Sequence, residues 1–386
     1  MNPAELQGRA RGCALGHMVG DALGAAVEGW PTEAIRELAR ERCGGPLLDK
    51  FILAVPMGTF VPANEPAQYR PAREILDTSF VPSGPPRSQA VAEQCARIGM
   101  YTDDTNAALA VGSSLAECRR VDAQHVATRS AEFFRDNEHY RGCPPTAKQV
   151  QHATLAGVPA AATGLPPHFP FPGGSFANGG AMKISLLAIA FRNAPPPILR
   201  SAVTQAVLST HRHPEAVDFA VVQAAAVQHC LNLPSAAEFD SAAFLHTLQS
   251  RCETPSMQTA IDRVAVLVAA SHRDRDSELA ALTTAVETEQ RPGSNMSFQI
   301  ASVHMCPCVL WAVCRAAQTP ELALPLAIDL GGDTDTTAAM VGAIVGALHG
   351  EAWCAPWAAE LENGVHGRDY ALGLAGELAA LDLTTQ

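Results

Sequence analysis

A four-residue glycine step near the start of the chain is the feature that most constrains its fold. The segment 5–29 is predicted to form one helix, and glycine recurs along it at Gly12, Gly16, Gly20 and Gly24. Residues four apart share a helical face, so this step leaves a ridge with no side chains. A second helix can approach such a ridge closely. The sequence therefore predicts a tightly packed helix pair, and places Asp21 and Glu28 on one face if the helix persists.

The rest of the chain repeats a helical pattern and shows few alternating strand patterns and no internal repeat. We therefore predict an all-α protein, organised as one domain over 1–386 with long functional loops. The Pro/Gly-rich stretch 43–98 is predicted to be an insertion or lid, with plain disorder as the alternative and a short helix near 73–77. Helices are predicted at about 104–120, 123–136, 147–157, 179–192, 197–208, 214–231, 238–251, 256–271, 277–289, 298–317, 320–329, 335–349 and 369–381.

Composition excludes several classes of protein. A net charge of −12 argues against a general nucleic-acid binder, which needs a basic face. The sequence lacks an apolar run long enough to cross a membrane. The 11 cysteines show no zinc spacing, and no secretory signal is evident, so we expect reduced thiols in a cytoplasmic compartment, with nuclear or organellar sites open for a eukaryotic chain. A monomer is favoured.

Two Asp/Thr clusters stand out in a chain with only 17% charged residues. Thr102-Asp103-Asp104 and Asp333-Thr334-Asp335-Thr336 each precede a small-residue apolar helix. Helix capping explains one oxygen at each helix start, but it does not need two neighbouring carboxylates, which repel each other. Hard oxygen ligands of this kind suit Mg²⁺, Ca²⁺ or Mn²⁺. The clusters therefore predict a metal site, with capping as the alternative.

Three further segments give weaker signals. Gly331-Gly332 can end the preceding helix in a left-handed turn and so aim the second cluster. The glycine-rich run 173–183 is typical of a turn that offers backbone amides to an anion. His211, at a predicted helix end, is either a structural residue or a ligand-binding one.

Taken together, these motifs resemble the ADP-ribosyl-hydrolase family, which includes dinitrogenase-reductase-activating glycohydrolase. The resemblance rests on five motifs in the family's order, which span residues 12 to about 350: Gly20-Asp21-Ala22-Leu23-Gly24, Tyr101-Thr102-Asp103-Asp104-Thr105, Asn178-Gly179-Gly180-Ala181-Met182, Thr210-His211 and Gly331-Gly332-Asp333-Thr334-Asp335-Thr336.

The resemblance implies an orthogonal all-α fold that holds two Mg²⁺ ions, with Mn²⁺ as a substitute, and that releases ADP-ribose from modified proteins or ADP-ribose conjugates. It implies catalytic roles for Glu28, Asp104 and Asp335, with Glu28 either transferring a proton or acting as a lid, and a supporting role for Asp21. The implied metal ligands are Thr102, Asp103, Asp104, Asp333, Asp335 and Thr336. The implied ligand-binding residues are Gly174, Ser175, Phe176, Asn178, Gly179 and His211, with Phe169 or Phe171 stacking on adenine.

The glycine segment and the position of Glu28 resemble the branch that degrades poly(ADP-ribose), O-acetyl-ADP-ribose and serine-linked ADP-ribose. The sequence departs from the family at Lys183, where arginine is usual, and at Ala177, where glycine is usual. An arginine-directed hydrolase therefore stays an alternative.

Two other classes are also open. One is a non-catalytic ADP-ribose binder or structural relative, although all six implied metal ligands are present. The other is a Mg²⁺-dependent phosphohydrolase, against which the absence of a phosphate-binding P-loop counts.

Overall fold

The computed structural model describes residues 2–52, 98–136, 141–270, 274–288 and 299–384, with the backbone alone at 283–288. Most of the predicted insertion or lid at 43–98, including the predicted short helix near 73–77, lies outside these ranges. Its role and the single-domain organisation therefore stay predictions.

The all-α prediction is confirmed: over the described ranges the chain forms helices, and strand pairing is limited to an isolated bridge between Ala177 and Ala301. No helix there is long and apolar enough to cross a membrane. We number the helices of six or more residues: α1 Pro3–Gly24, α2 Thr32–Arg42, α3 Asp103–Cys118, α4 Ala123–Arg135, α5 Pro145–Leu155, α6 Ser185–Ala190, α7 Pro196–Val207, α8 Pro214–Asn232, α9 Ser241–Gln249, α10 Pro255–Ala269, α11 Arg275–Thr288, α12 Ser302–Ala316, α13 Ala323–Asp329, α14 Thr334–His349 and α15 Arg368–Ala380.

Local sequence explains where many of these helices begin. Proline occupies the first turn of α1, α5, α7, α8 and α10, where its missing N–H leaves no intrahelical bond unmade. Asp122 caps α4 by accepting hydrogen bonds from the backbone N–H groups of Gln124 and His125. Such caps replace bonds that the first helical turn cannot form within the helix.

The glycine ridge of α1 packs against α14, as the four-residue step predicts. A β-carbon at Gly16 would lie 2.2 Å from the carbonyl oxygen of Gly342, and one at Gly20 would lie 2.0 Å from that of Ala338. Both distances are too short for any real side chain, so only glycine permits this approach. Gly12 faces Gly346 while Gly24 faces Thr334, so the two helices run antiparallel.

The antiparallel pairing positions the chemistry-bearing residues. The carboxyl-terminal end of α1, which carries Asp21, lies beside the amino-terminal end of α14, which carries Asp335 and Thr336. Asp21 in turn accepts hydrogen bonds from the backbone N–H groups of Thr102 and Thr105, at 2.9 Å each. The amino-terminal ends of α3 and α14 therefore meet at one end of α1.

The predicted helix 5–29 is too long. Helix α1 ends at Gly24, a 3₁₀ turn covers Ala25–Val27, and Glu28 follows in an extended conformation. The cause is tertiary: the N–H of Gly29 donates to the carbonyl oxygen of Gly332 at 2.7 Å, and the N–H of Gly332 donates to that of Trp30 at 3.0 Å. These bonds draw the chain off the helix axis and bury Trp30.

Two other differences have local causes. The predicted helix 179–192 is replaced by a 3₁₀ turn, Asn178–Gly180, and by α6, because paired glycines disfavour helix and the backbone N–H of Asn178 bonds to Ile300. Helix α2 was not predicted, although its buried positions, Ala34, Ile35, Leu38 and Ala39, show helical spacing.

We expect Gly20→Ala to lower the free energy of unfolding by about 1–3 kcal/mol or more, because the added methyl group meets the Ala338 carbonyl oxygen and forces α1 and α14 apart. Gly8→Ala in the same helix is the matched control, because nothing lies within 4 Å of its β-carbon position. It should be neutral or slightly stabilising. Urea unfolding followed by circular dichroism measures both, and equal effects would contradict the close approach.

Candidate active site

A cavity of about 690 Å³ opens where α3 and α14 begin. Most of the residues implied as site residues line it; Asp21, Thr102, Gly174 and Phe176 do not. The implied residues in the lining are Glu28, Asp103, Asp104, Ser175, Asn178, Gly179, His211, Asp333, Asp335 and Thr336.

The first Asp/Thr cluster forms the start of α3. Thr102 is the N-cap, and its hydroxyl oxygen accepts a long hydrogen bond from the N–H of Asp104 at 3.4 Å. The N–H of Asp103 donates to the carbonyl oxygen of Arg141 at 2.6 Å. With the hydroxyl of Thr102 available for capping and Asp21 binding two backbone N–H groups, the carboxylates of Asp103 and Asp104 are not needed to cap the helix.

The second cluster forms the start of α14. Asp333 holds the N-cap position, yet its side chain accepts no capping hydrogen bond. Its Oδ2 atom instead accepts from Nδ2 of Asn178 at 2.6 Å, across 155 residues of chain. Left-handed backbone at Gly331 and Gly332, with φ of 70° and 73°, follows α13 and turns the chain into α14, as predicted. Helix capping alone therefore does not explain Asp333.

Glu28 reaches the second cluster from the loop after α1. One carboxylate oxygen from each of Glu28, Asp333 and Asp335 lies within 4.8 Å of the other two. The two backbone bonds between residues 29–30 and Gly332 fix the end of this loop against the turn before α14.

Burial and mutual repulsion raise the carboxyl pKa values throughout this cavity. Burial, followed by repulsion from Asp333, Asp103 and Asp21, raises the pKa of Glu28 to about 8. Burial and Asp21 raise the pKa of Asp103 to about 7. The pKa values of Asp104, Asp333 and Asp335 are also raised, by burial above all. Each group is harder to ionise here than in water, because burial and the neighbouring carboxylates both disfavour the negative charge.

This arrangement fits divalent cations. Over the described ranges, no lysine or arginine nitrogen lies within 4.0 Å of these carboxylates, and the buried Oδ1 atom of Asp104 has no hydrogen-bond partner. Buried carboxylates are ordinarily paired with cations or bound to metals. The donors are all oxygens, the ligand type that Mg²⁺, Ca²⁺ and Mn²⁺ prefer.

Four of the implied ligand-binding residues line the cavity: Ser175, Asn178, Gly179 and His211. Ser175 is buried, and its hydroxyl oxygen accepts from the N–H of Ala177 at 3.2 Å. Phe176 lies behind the lining, with its ring 5.8 Å from that of Phe171 and 6.1 Å from that of His213. Of the two candidate stacking residues, Phe169 lines the cavity and Phe171 does not.

The sequence analysis did not identify a network that supports the first cluster. The guanidinium of Arg141 stacks on the Tyr101 ring at 3.6 Å from the ring centre and forms an ion pair with Glu362. Glu362 also accepts from the N–H of Tyr101 at 3.0 Å. The network thereby holds the backbone just before Thr102. Arg141 and Glu362 lie far apart in the sequence, and no spacing rule connects them.

An all-helical fold with a cavity of unpaired carboxylates at two helix starts defines a protein with a candidate divalent-cation site. The model of the ADP-ribosylglycohydrolase family matches residues 2–386, so the chain belongs to the ADP-ribosylglycohydrolase family. It is a glycohydrolase of a family that acts on ADP-ribosylated substrates and uses divalent metals, and the resemblance stated from the motifs is confirmed.

Named relatives cover most of the chain. It is 27% identical to ADP-ribosylhydrolase ARH3 of Homo sapiens over 89% of this chain and 88% of that protein. It is 28% identical to the uncharacterized protein YegU of Escherichia coli over 65% of this chain and 72% of that protein. A solved structure, an ADP-ribosylglycohydrolase-related protein complex, is 23% identical with a TM-score of 0.60, covers 98% of this chain and all of that one, and shares the fold.

The raised pKa values predict a pH-dependent response to metal. Carboxyl groups whose pKa is higher in the folded state contribute stability to the metal-free fold that is fully present below about pH 4 and is lost as pH rises through about 6 to 8. Divalent cations bind the ionised groups and offset that loss. We therefore expect Mg²⁺ to raise the melting temperature relative to EDTA. This increase should be larger at about pH 8 than at about pH 5.

Differential scanning fluorimetry with paired Mg²⁺ and EDTA samples at each pH measures this difference and cancels pH effects outside the site. An Asp335→Asn variant should lose most of the Mg²⁺ response. A response of equal size at both pH values would contradict the carboxylate site.

Proposed function

We propose that this protein hydrolyses the bond at the anomeric C1 of ADP-ribose, in modified proteins, O-acetyl-ADP-ribose or poly(ADP-ribose), with Mg²⁺ preferred and Mn²⁺ as a substitute. The observation that carries the proposal is the meeting of Glu28 and both Asp/Thr clusters in one cavity. Family membership supports ADP-ribose as the ligand. Serine-linked ADP-ribose is preferred to arginine-linked, because the glycine segment and the position of Glu28 resemble the serine-directed branch.

The proposed metal ligands are Thr102, Asp103, Asp104, Asp333, Asp335 and Thr336. When bound in such a site, Mg²⁺ supplies charge neutralisation and a template for the ribose hydroxyls and the attacking water. Asp21 positions the first of these clusters, because both of its carboxylate oxygens accept hydrogen bonds from backbone N–H groups at the start of α3. Asn178 orients Asp333 through its amide hydrogen bond.

Glu28 is the proposed proton-transfer residue. Its carboxylate lines the cavity beside Asp333 and Asp335, where it can take a proton from the water that attacks C1 and return it to the oxygen that leaves C1. Its pKa of about 8 would fall once neighbouring carboxylates are neutralised, which brings it near the value that suits a general base. The backbone bonds at Gly332 favour this fixed role over that of a swinging lid.

The rest of the cavity accommodates the remainder of ADP-ribose. Ser175, Gly179 and His211 face it from one wall and are proposed to contact the ligand, with Gly174 and Phe176 shaping the loop behind them. The ring of Phe169 supplies an apolar surface for adenine. The free cysteines of the described ranges are consistent with a reducing, cytoplasmic compartment.

Product analysis tests the proposed reaction. The protein is incubated with serine-linked, arginine-linked and polymeric ADP-ribose, with and without EDTA. We expect free ADP-ribose to be released from the serine-linked substrate in Mg²⁺. Asp335→Ala should abolish release while the helical circular-dichroism signal survives. Phosphate release would instead indicate a phosphohydrolase, and thermal stabilisation by ADP-ribose without turnover would indicate a binding protein.

A second variant tests the role of Glu28. Glu28→Gln keeps the side-chain volume but removes the base, so kcat should fall by about 100-fold or more with little change in ADP-ribose affinity. Glu33→Gln on the exposed face of α2 is the matched control and should leave both unchanged. Weaker ADP-ribose binding with an unchanged rate per bound substrate would make Glu28 a binding residue.

A further inference from the structure

A buried lysine that the proposed reaction leaves unused lines the cavity. Lys183 is 7% exposed and follows the glycine turn Asn178–Gly180. Its Nζ atom donates to the hydroxyl oxygen of Thr210 at 2.6 Å. An ammonium has three N–H donors, and over the described ranges Thr210 is its one hydrogen-bond partner. Two donors are therefore available to a ligand.

The charge of Lys183 is also unbalanced. Over the described ranges, no carboxylate lies within ion-pair distance of it, whereas Arg141, another basic residue of the cavity lining, is paired with Glu362. Burial lowers the pKa of Lys183 to about 8, which leaves the side chain mostly protonated at pH 7. A buried, unpaired cation is costly, and an anion bound beside it relieves that cost.

The groups around Lys183 are compatible with an anion. Thr210 also contacts Nδ1 of His211 at 2.8 Å, and burial together with Lys183 holds the pKa of His211 well below its usual value, so its ring is neutral. Cys143 lies nearby, and burial keeps its thiol protonated. Among the carboxylates of the described ranges, Asp103 attracts the ammonium and raises its pKa, and Asp103 is a proposed metal ligand.

We propose that Lys183, oriented by Thr210, binds the diphosphate of the ADP-ribosyl group. This inference rests on the proposed function, because it assigns a position to that ligand's negative charges. The carboxylates would hold the ribose end through cations, and Lys183 would neutralise the diphosphate directly. In a protein of net charge −12, such a local cation favours the binding of a phosphorylated ligand.

The test compares a phosphorylated ligand with an unphosphorylated one. Calorimetry in Mg²⁺ measures the binding of ADP-ribose and of adenosine to the wild-type protein and to Lys183→Met. We expect ADP-ribose to bind at least about tenfold more weakly to the variant, since a charge-assisted hydrogen bond is lost, and adenosine to bind equally well. Lys183→Arg should restore most of the ADP-ribose affinity because it keeps the charge.

Lys148→Met is the matched control, because Lys148 lines the same cavity at a half-exposed position. Lys148→Met should lose less ADP-ribose affinity than Lys183→Met does. Equal losses of affinity would indicate a general electrostatic effect and overturn the assignment. Thr210→Val should weaken ADP-ribose binding less than Lys183→Met does. If Lys183→Met does not fold, the comparison of Lys183→Gln with Lys183→Arg decides.

The two proposals fail in distinguishable ways. If the wild-type protein releases and binds ADP-ribose and Lys183→Met binds it equally well, the diphosphate assignment is wrong and the proposed function stands. Equal losses for ADP-ribose and adenosine would make Lys183 a structural residue and also overturn the assignment. If the wild-type protein neither binds nor releases ADP-ribose, both proposals fail.

Discussion

The close approach of α1 and α14 is the constraint on which the candidate site depends. Each glycine of the ridge admits backbone atoms of α14 to a position that a methyl group would occupy. Because the helices run antiparallel, the end of α1 that carries Asp21 meets the start of α14 that carries Asp335. Asp21 then binds the start of α3 through two backbone N–H groups. One helix contact thus brings together segments more than 200 residues apart.

The cavity differs from an ordinary apolar core because it gathers carboxyl groups that are costly to ionise there. Several buried carboxylates face one another without basic partners over the described ranges, and their raised pKa values measure the cost of ionising them. The positive ends of α3 and α14 offset part of this cost. The surrounding scaffold, including the Arg141–Glu362 ion pair, keeps the groups together against their repulsion. Cations bound to these carboxylates would relieve their repulsion.

The cavity is chemically divided, as the proposed binding of a ribose and a diphosphate requires. Oxygen ligands suited to cations gather around Asp104 and Asp335, whereas Lys183, Thr210 and His211 form a wall with hydrogen-bond donors. The departure from the family's arginine at Lys183 lies on this second wall. Lysine offers a single charged centre where arginine offers a planar fork, so the change bears on how an anion is held rather than on the metal ligands.

Residue spacing along the chain predicts the helical fold class, the glycine-dependent helix pair and the two Asp/Thr clusters, because each is a local pattern. The sequence also indicates the turn at Gly331-Gly332, where φ is positive at both residues. The position of Glu28 depends on tertiary packing, since α1 ends early where Gly29 and Trp30 bond with Gly332. Tertiary packing alone joins Asn178 to Asp333 and Arg141 to Glu362, and leaves Lys183 buried without a carboxylate within ion-pair distance over the described ranges. These relations depend on which distant segments meet as the chain packs, and no residue spacing along the chain encodes them.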